Sequence, residues 1–313
     1  MVSVVLCTYN RDVFLSKTIE SVLNQSYSDF ELIIIDDGST DTSPAIIKDL
    51  SDPRIRVKKN NANIGIVGSR NIALKMVRGD LIAIIDSDDL WELDKLEHQV
   101  KKFHNDPLLI GVGSYAYIIN SQGRINEVRR FPIEHHEIHS TFLWRCPFIH
   151  SSFMFRNIGL LYNSSLSQAE DLDLFIRLSK LGKLENINCP LIHYRVHPDS
   201  LTSSKSQQQC KDGLAVRLSL LSEVENINLE IYEMMFNHKL ESLSNRQEEV
   251  NLFVLQLSRT NLMNRHLIRV HTWILKTAVK TFKITPQTII TNIKLRIRMC
   301  DLAKSKKVSH KNL

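Results

Sequence analysis

Three carboxylates stand in four positions at Asp86, Asp88 and Asp89, directly after the apolar run Leu81–Ile85. Carboxylates packed this closely repel one another at neutral pH unless solvent or a cation neutralises them. The apolar run reads as a buried strand. A strand ending in Asp-x-Asp has the form of a hard-metal site at the carboxyl edge of a sheet, where ligands of open α/β sheets bind. The competing reading is a solvated acidic turn that opens the following segment, Trp91–Phe103, which has a helical pattern.

Other groups of similar chemistry follow the same arrangement. Val2–Cys7 reads as a strand and runs into the polar turn Thr8-Tyr9-Asn10-Arg11. Phe30–Ile35 reads as a second strand and runs into Asp36-Asp37-Gly38-Ser39-Thr40-Asp41. In a parallel sheet these turns would meet Asp86–Asp89 along one edge and form a cleft. That convergence favours the metal reading. Neither GxGxxG nor GxxxxGK[ST] occurs, so phosphate handling by a metal is the coherent alternative. Glu170-Asp171 opens a further helical pattern. These two acids could answer the helix dipole or place a base far from the metal group.

The positioning elements alternate. Helical spacing follows each of the first two strands, from Phe14 to Leu23 and over Ser43–Leu50. A short strand, Ile55–Lys58, precedes an Asn- and Gly-rich loop at Asn60–Gly68. Ser69–Val77 reads as a helix. This alternation predicts a mostly parallel sheet with helices on both faces. Residues 105–200 are less regular. Strands are expected at Leu108–Ile119, Ile149–Phe155 and Leu191–Arg195, with a hairpin turn at Ser121-Gln122-Gly123 and a helix over Ala169–Leu181. Phe131–His139 reads as a polar connector, so His135, His136 and His139 are expected in a solvated loop and not on a metal. Beyond Ser203 the pattern is helical, as at Leu214–Leu221 and Tyr232–Leu243.

With 313 residues and an apolar fraction of 43% the chain has the make-up of a globular protein. Five cysteines without metal-type spacing point to a reducing compartment. No signal peptide and no spanning helix are expected, which puts the protein in the cytoplasm. The net charge of +6 is unevenly spread. From Arg259 to Leu313 there are 13 Lys or Arg and one acid, Asp301, a balance of +12. The first 258 residues carry 27 basic and 33 acidic residues, a balance of −6. Leu267–Phe282 and Ile289–Cys300 mix basic and apolar residues, as helices lying on anionic lipid do. Such a tail would hold the protein peripherally on the inner face of the membrane; packing on the catalytic domain is the alternative. No nucleic-acid recognition motif is present.

The motifs VSVVLCTYNR (Val2–Arg11), ELIIIDDGSTD (Glu31–Asp41), NxGIxxxRN (Asn63–Asn71), GDLIAIIDSDD (Gly79–Asp89), AEDLDLFIRL (Ala169–Leu178) and YRVHPDSLT (Tyr194–Thr202) occur in this order. Together they resemble the inverting, nucleotide-sugar-dependent glycosyltransferases of family 2, in particular bacterial polysaccharide-biosynthesis members. The resemblance implies the GT-A fold, an α/β architecture with a Rossmann-like, mostly parallel mixed sheet. The catalytic domain would span residues 1–203, with nucleotide-sugar binding in about 1–104 and the acceptor side in 105–203. A basic helical extension, 204–313, would follow.

Roles are implied position by position. Thr8, Tyr9 and Arg11 would line the nucleotide pocket, and Asp36 would accept from a uracil imide, with Asp37 beside it. Arg70 would reach the pyrophosphate or brace Asp36. Asp86, Ser87 and Asp88 form the Asp-x-Asp element, with Asp88 the direct ligand of Mn²⁺ or Mg²⁺ and His197 completing the metal shell. Asp171 matches the general base. Glu170, His150, Ser151 and Trp91 would stand on the acceptor side, with Trp144 near them. The implied partners are a nucleoside-diphosphate sugar, with UDP favoured by Asp36, and a saccharide or lipid-linked saccharide acceptor. A nucleotidyltransferase is a rival reading, but its phosphate loop carries glycine where Thr8–Arg11 has none. A non-catalytic sugar-nucleotide or membrane-binding module is the third reading, and the intact Asp86, Asp88 and Asp171 set argues against it.

Overall fold

The computed structural model describes residues 1–143, 145–198, 207–222 and 229–230. Trp144, the 232–243 helical pattern and the basic segment 259–313 lie outside the described residues, as does most of the 204–313 extension. One compact unit runs Met1–Glu223. It takes in a helix beyond the last of the sequence motifs.

The first half of this unit is four parallel strands: β1 (Val2–Thr8), β2 (Phe30–Asp36), β3 (Ile55–Lys59) and β4 (Leu81–Asp86), in the order β3-β2-β1-β4. Every residue of β1 and β2 is buried. Their runs of Val, Leu and Ile suit a sheet covered on both faces, and each such side chain stabilises by about 1.5–3 kcal/mol when fully buried. Helix α1 (Asp12–Leu23) puts Leu15, Thr18, Ile19 and Val22 inside, the spacing of one helix face. Helices α2 (Ser43–Lys48), with Pro near its start, and α3 (Ile66–Leu74) complete the crossovers.

The chain steps outward from β1 to β2 to β3, then returns to place β4 on the other side of β1. The carboxyl ends of β1 and β4 therefore border a topological switch point, the place where ligands bind in open α/β sheets. Thr8 is paired with Asp36 and Cys7 with Asp86 at that edge.

The second half is mixed. Strand β5 (Leu90–Trp91) is followed by α4 (Lys95–Asn105), β6 (Leu109–Ile119), β7 (Ile125–Arg129), α5 (His135–Thr141), a 3-10 turn (His150–Ser152), β8 (Met154–Arg156), α6 (Glu170–Ser179), β9 (Lys183–Arg195) and α7 (Gln207–Leu221). The sheet continues β4-β8-β6-β9-β5, with β7 pairing β6. Among the described residues only β8 joins the two halves in the sheet, antiparallel to both β4 and β6. The core cluster runs through both halves, from Val4 and Leu32 to Val112, Met154 and Ile192.

Several elements differ from the sequence reading. Trp91 is in a strand paired with Ile192, and the helix begins four residues later, because buried packing captures the indole. Helix α3 starts at Ile66, with Gly65 (φ +86°) turning the chain into it, so Gly68 is helical and not in the loop. Residues 135–141 are helical because Ile138 and Phe142 are drawn fully inside. The 149–155 segment divides into the 3-10 turn and a three-residue strand.

Gly38 marks the acidic turn after β2. It has φ +77°, and an added Cβ would lie 2.8 Å from the Ala62 backbone carbonyl carbon. Gly38→Ala is expected to lower stability by about 1–3 kcal/mol, since left-handed strain and a backbone clash act together. A urea unfolding midpoint equal to the wild type would contradict this.

Candidate active site

The site is built on the carboxyl edge of β2, β1 and β4 and on the end of β9. Thr8 Oγ1 and Asp36 Oδ2 are buried and have no hydrogen-bond partner among the described residues. The other Asp36 oxygen accepts from the Ser39 amide at 2.9 Å, and Lys59 Nζ stands 4.0 Å from Oδ2. A buried polar atom left unpaired costs about 1–3 kcal/mol. Two such atoms on paired residues of adjacent strands are therefore a ready donor-acceptor edge for a polar ring. Tyr9 is 41% exposed beside them, in reach of solvent and ligand.

Asn10 has φ +51°, a conformation asparagine tolerates better than most residues. Its side-chain oxygen accepts from the Thr40 amide at 2.8 Å, which ties the turn after β1 to the turn after β2. Asp37 accepts from Asn60 Nδ2 at 2.8 Å and from the Ile64 and Gly65 amides at 3.0 Å each. It builds the wall formed by loop 60–65 and has little acceptor capacity left for a ligand.

The acidic loop after β4 is held from two sides, by α1 and by the end of β9. Thr18 of α1 donates to the Ser87 and Asp89 carbonyls at 3.1 and 2.8 Å. The Arg195 amide donates to Asp89 Oδ1 at 2.8 Å, and Arg195 Nε donates to the Asp88 carbonyl at 2.7 Å. Arg195 also reaches the Asn120 and Ser121 carbonyls in the β6–β7 turn, and its guanidinium lies 4.7 Å from the Phe14 ring centre. Ser87 is buried, so its contribution to a ligand would come from its backbone. Burial, Asp88 and Asp86 push the Asp89 carboxyl well above the usual range. Asp89 is thus a buried anchor and not a third exposed ligand.

Asp88 and His197 come together as the sequence implied. His197 Nε2 stands 3.0 Å from Asp88 Oδ2, and the His197 ring packs 5.0 Å from Phe14. Arg11 Nε lies 4.0 Å from the same oxygen. A carboxylate and an imidazole brought together in this way are donors that would hold Mn²⁺ or Mg²⁺. Among the described residues no group of three or more His, Cys, Asp or Glu could hold a metal. Such an ion would need further oxygens from a ligand or water, as Mg²⁺ commonly does.

Asp86 belongs to a different group. Arg70 Nη2 donates to Asp86 Oδ1 at 2.7 Å, and Arg70 Nη1 pairs with Glu170. The Arg70 guanidinium also lies 5.6 Å from the Tyr162 ring centre. His150 Nδ1 is 3.5 Å from Asp86 Oδ1, and its Nε2 is 2.8 Å from the Tyr162 hydroxyl. Burial alone would raise the Asp86 carboxyl, but Arg70 and His150 overcome it and hold Asp86 well below the usual carboxylate range. Burial likewise opposes the Arg70 charge, and Asp86 and Glu170 more than restore it. Arg70 braces Asp86 and Glu170, not Asp36 as the sequence reading allowed.

Asp171 lies in the first turn of α6, half-buried, next to Glu170. Ala169 precedes them with φ +60°, a conformation that costs a non-glycine residue about 1–2 kcal/mol. Burial, and then Glu170, push the Asp171 carboxyl up. A carboxylate with a raised pKa is better matched to taking a proton than an ordinary one.

Three expected acceptor-side residues are buried. Trp91 is 5% exposed and donates from its indole to the Ser151 carbonyl at 2.9 Å. Ser151 is fully buried, and its hydroxyl accepts from the Asp86 amide at 2.9 Å. His150 is also buried, against Asp86 and Tyr162. Apolar packing draws all three inward, where His150 and Ser151 contact Asp86 and Trp91 holds the Ser151 carbonyl. Glu170 is engaged by Arg70.

Tyr162, Asn71 and Arg195 were not singled out from the sequence. Asn71 accepts from the Tyr162 amide at 2.8 Å and donates to its carbonyl at 3.0 Å. The only sequence signals were the Arg70-Asn71 and Tyr194-Arg195 pairs inside the motifs. His135 accepts from the Leu184 amide at 3.1 Å and is half-buried on a helix, so the expected solvated histidine loop is not found.

The sequence model of glycosyl transferase family 2 matches residues 3–163. WfgD of Escherichia coli, a UDP-Glc:alpha-D-GlcNAc-diphosphoundecaprenol beta-1,3-glucosyltransferase, is 30% identical over 211 residues, covering 66% of this chain and 82% of that protein. WfaP of Escherichia coli, with the same stated activity, is 33% identical over 210 residues, with the same coverage of 66% and 82%. Among solved structures, Staphylococcus aureus TarS 1–349 in complex with UDP-GlcNAc aligns with a TM-score of 0.58 at 16% identity, over 82% of this chain and 80% of that one. The complex of TarS 1–349 with UDP gives 0.55 at 18% identity, over 78% and 72%. At such identity the structural likeness speaks for the fold, and the fold is GT-A. This chain belongs to glycosyl transferase family 2 and is a glycosyltransferase.

Proposed function

We propose that this enzyme moves a sugar from a UDP-sugar to a hydroxyl of a saccharide or lipid-linked saccharide, with inversion and metal assistance, in surface polysaccharide or glycolipid assembly. One observation carries the reading. The carboxylates fall into two separately held groups, Asp88 with His197 at the ends of β4 and β9, and Asp171 at the start of α6. A leaving-group site and a proton-accepting site are the two things an inverting transfer needs.

On this reading Thr8 and Asp36 receive the uracil, and Tyr9 and Arg11 line the nucleotide. Asp88 and His197 would hold Mn²⁺ or Mg²⁺, and such an ion neutralises the charge of a departing diphosphate. Asp86, kept ionised by Arg70, faces the donor side of the cleft. Asp171 takes the proton of the acceptor hydroxyl as the new glycosidic bond forms. Residues 1–104 serve the donor and 105–203 the acceptor. The basic segment 259–313 would meet anionic lipid at the inner face of the membrane. Support for donor and acceptor class comes from the stated activities of WfgD and WfaP.

The test is UDP release from a panel of UDP-sugars with undecaprenyl-diphosphate-linked acceptors, with the product anomer read by NMR. Activity should fall at least about 100-fold on chelation and return with Mn²⁺ or Mg²⁺. His197→Ala should raise the metal concentration needed for half-maximal activity by about 10–100-fold. Retained anomeric configuration, or full activity in chelator, would overturn the reading.

A further inference from the structure

Helix α7 lies beyond the segment matched by the family, yet it is bonded to the loop that leads into the base. Asp212 Oδ2 accepts from the Ser167 hydroxyl at 3.1 Å and from the Gln168 amide at 3.0 Å. Its other oxygen accepts from Gln208 Nε2 at 2.6 Å, one turn earlier on α7. The helix is itself fastened by Arg217, which is buried and donates to the Phe142 carbonyl at 2.9 Å and to the Gly213 carbonyl at 2.8 Å.

The two residues that Asp212 holds immediately precede Ala169, whose left-handed backbone turns the chain into Glu170 and Asp171. A strained alanine persists only where its surroundings over-determine it. Here one side is fixed by α6 itself, through the Asp173 amide to the Ala169 carbonyl at 3.1 Å. Glu170 is further held by Arg70. The other side is fixed by Asp212. Without that anchor the Ser167–Ala169 loop can relax toward an unstrained φ, and the start of α6 turns with it.

We propose that Asp212 is a positioning residue for catalysis: it holds residues 167 and 168 so that the Ala169 turn presents the Asp171 carboxylate to the acceptor hydroxyl. The proposal rests on the reading of Asp171 as the base. It adds that the catalytic machinery extends to α7, past every recognised motif.

The experiment compares Asp212→Ala, Asp212→Asn and Ser167→Ala in the full chain, alone and combined with Asp171→Asn. A misplaced base of about 1 Å costs on the order of 100-fold. Asp212→Ala should therefore lower kcat for transfer by about 10–100-fold, with donor KM and UDP affinity unchanged. Asp212→Asn keeps a carbonyl acceptor for the two bonds and should restore most of the rate. Ser167→Ala removes one bond at an exposed residue, does not threaten folding, and should lower kcat in the same sense by about 2–5-fold. In the Asp171→Asn background Asp212→Ala should cost less than about 3-fold, because groups acting as a unit are not additive. A wild-type kcat in Asp212→Ala, a parallel loss of UDP affinity, or multiplying losses in the double variant would overturn the proposal. Should Asp212→Ala not fold, an unchanged kcat in Ser167→Ala overturns it instead. Retained transfer by Asp171→Asn alone would overturn the base reading and remove the object of this one. Loss there, with wild-type rates in the Asp212 and Ser167 variants, would overturn this proposal alone.

Discussion

Replacing Asp171 with Asn is expected to lower kcat for sugar transfer by about 100- to 10,000-fold, the range of general base catalysis. The amide is the same size and keeps the oxygen that accepts from the Leu172 amide at 2.7 Å. It cannot take a proton. UDP affinity, set on the β1, β2 and β4 edge, should stay within about 2-fold. The pH dependence has a defined sign. The base works ionised, and burial with Glu170 raises its pKa. The acid limb of the wild-type kcat profile should therefore lie above the ordinary carboxylate value of about 3.9, with activity lost as pH falls through it. In Asp171→Asn that limb should vanish from whatever rate remains. A wild-type rate, or an unchanged acid limb, would show that another group accepts the proton.

Arg70→Met should be the most destabilising single change at the site. Arg70 is 7% exposed and faces two carboxylates, Asp86 at 30% and Glu170 at 13% exposure. Removing one member of a buried ion group strands the others and costs about 3–5 kcal/mol. For a chain of this size that is a fall in Tm of roughly 10 °C. Combining Arg70→Met with Glu170→Gln should recover part of the loss, because one stranded charge is removed. Differential scanning calorimetry decides it. A Tm within about 1 °C of wild type would mean that solvent, not Arg70, neutralises the two carboxylates.

The donor edge was legible because its chemistry is local. A strand of β-branched residues ends in a hydroxyl or a carboxylate three times over, at Thr8, Asp36 and Asp86, and parallel pairing brings those ends together. The Asp88–His197 contact spans 109 positions, and only the family motifs gave it away. The Arg70–Glu170 contact spans 100 positions and has no periodicity to announce it. Spacing also misled at Trp91, where an aromatic at a helical position proved to be strand, because pairing with Ile192 and the Ser151 carbonyl hold it. The histidines at 135–139 looked like a polar stretch since the pull of Ile138 and Phe142 is visible only once the core exists. The tie from Asp212 to the loop before α6 carried no local signal: Gln168 and Ser167 lie 44 and 45 residues earlier.

The three-residue strand β8 has a consequence for how the protein is made. Strands β1 to β4 are complete at Asp86, but β4 gains its outer neighbour only when Met154–Arg156 arrives, 70 residues later at its far end. At about 5–20 residues per second of synthesis, the nascent half-sheet waits several seconds. During that time the Leu81–Ala83 backbone is an open parallel edge of apolar residues, the kind of surface that recruits strands from other chains. Gly111 and Phe153 then have to meet closely as β6 and β8 close the seam, since a Cβ at Gly111 would fall 2.4 Å from the phenyl ring. The chain is therefore most exposed to aggregation between the emergence of β4 and that of β8, and demand for a chaperone should concentrate in that window.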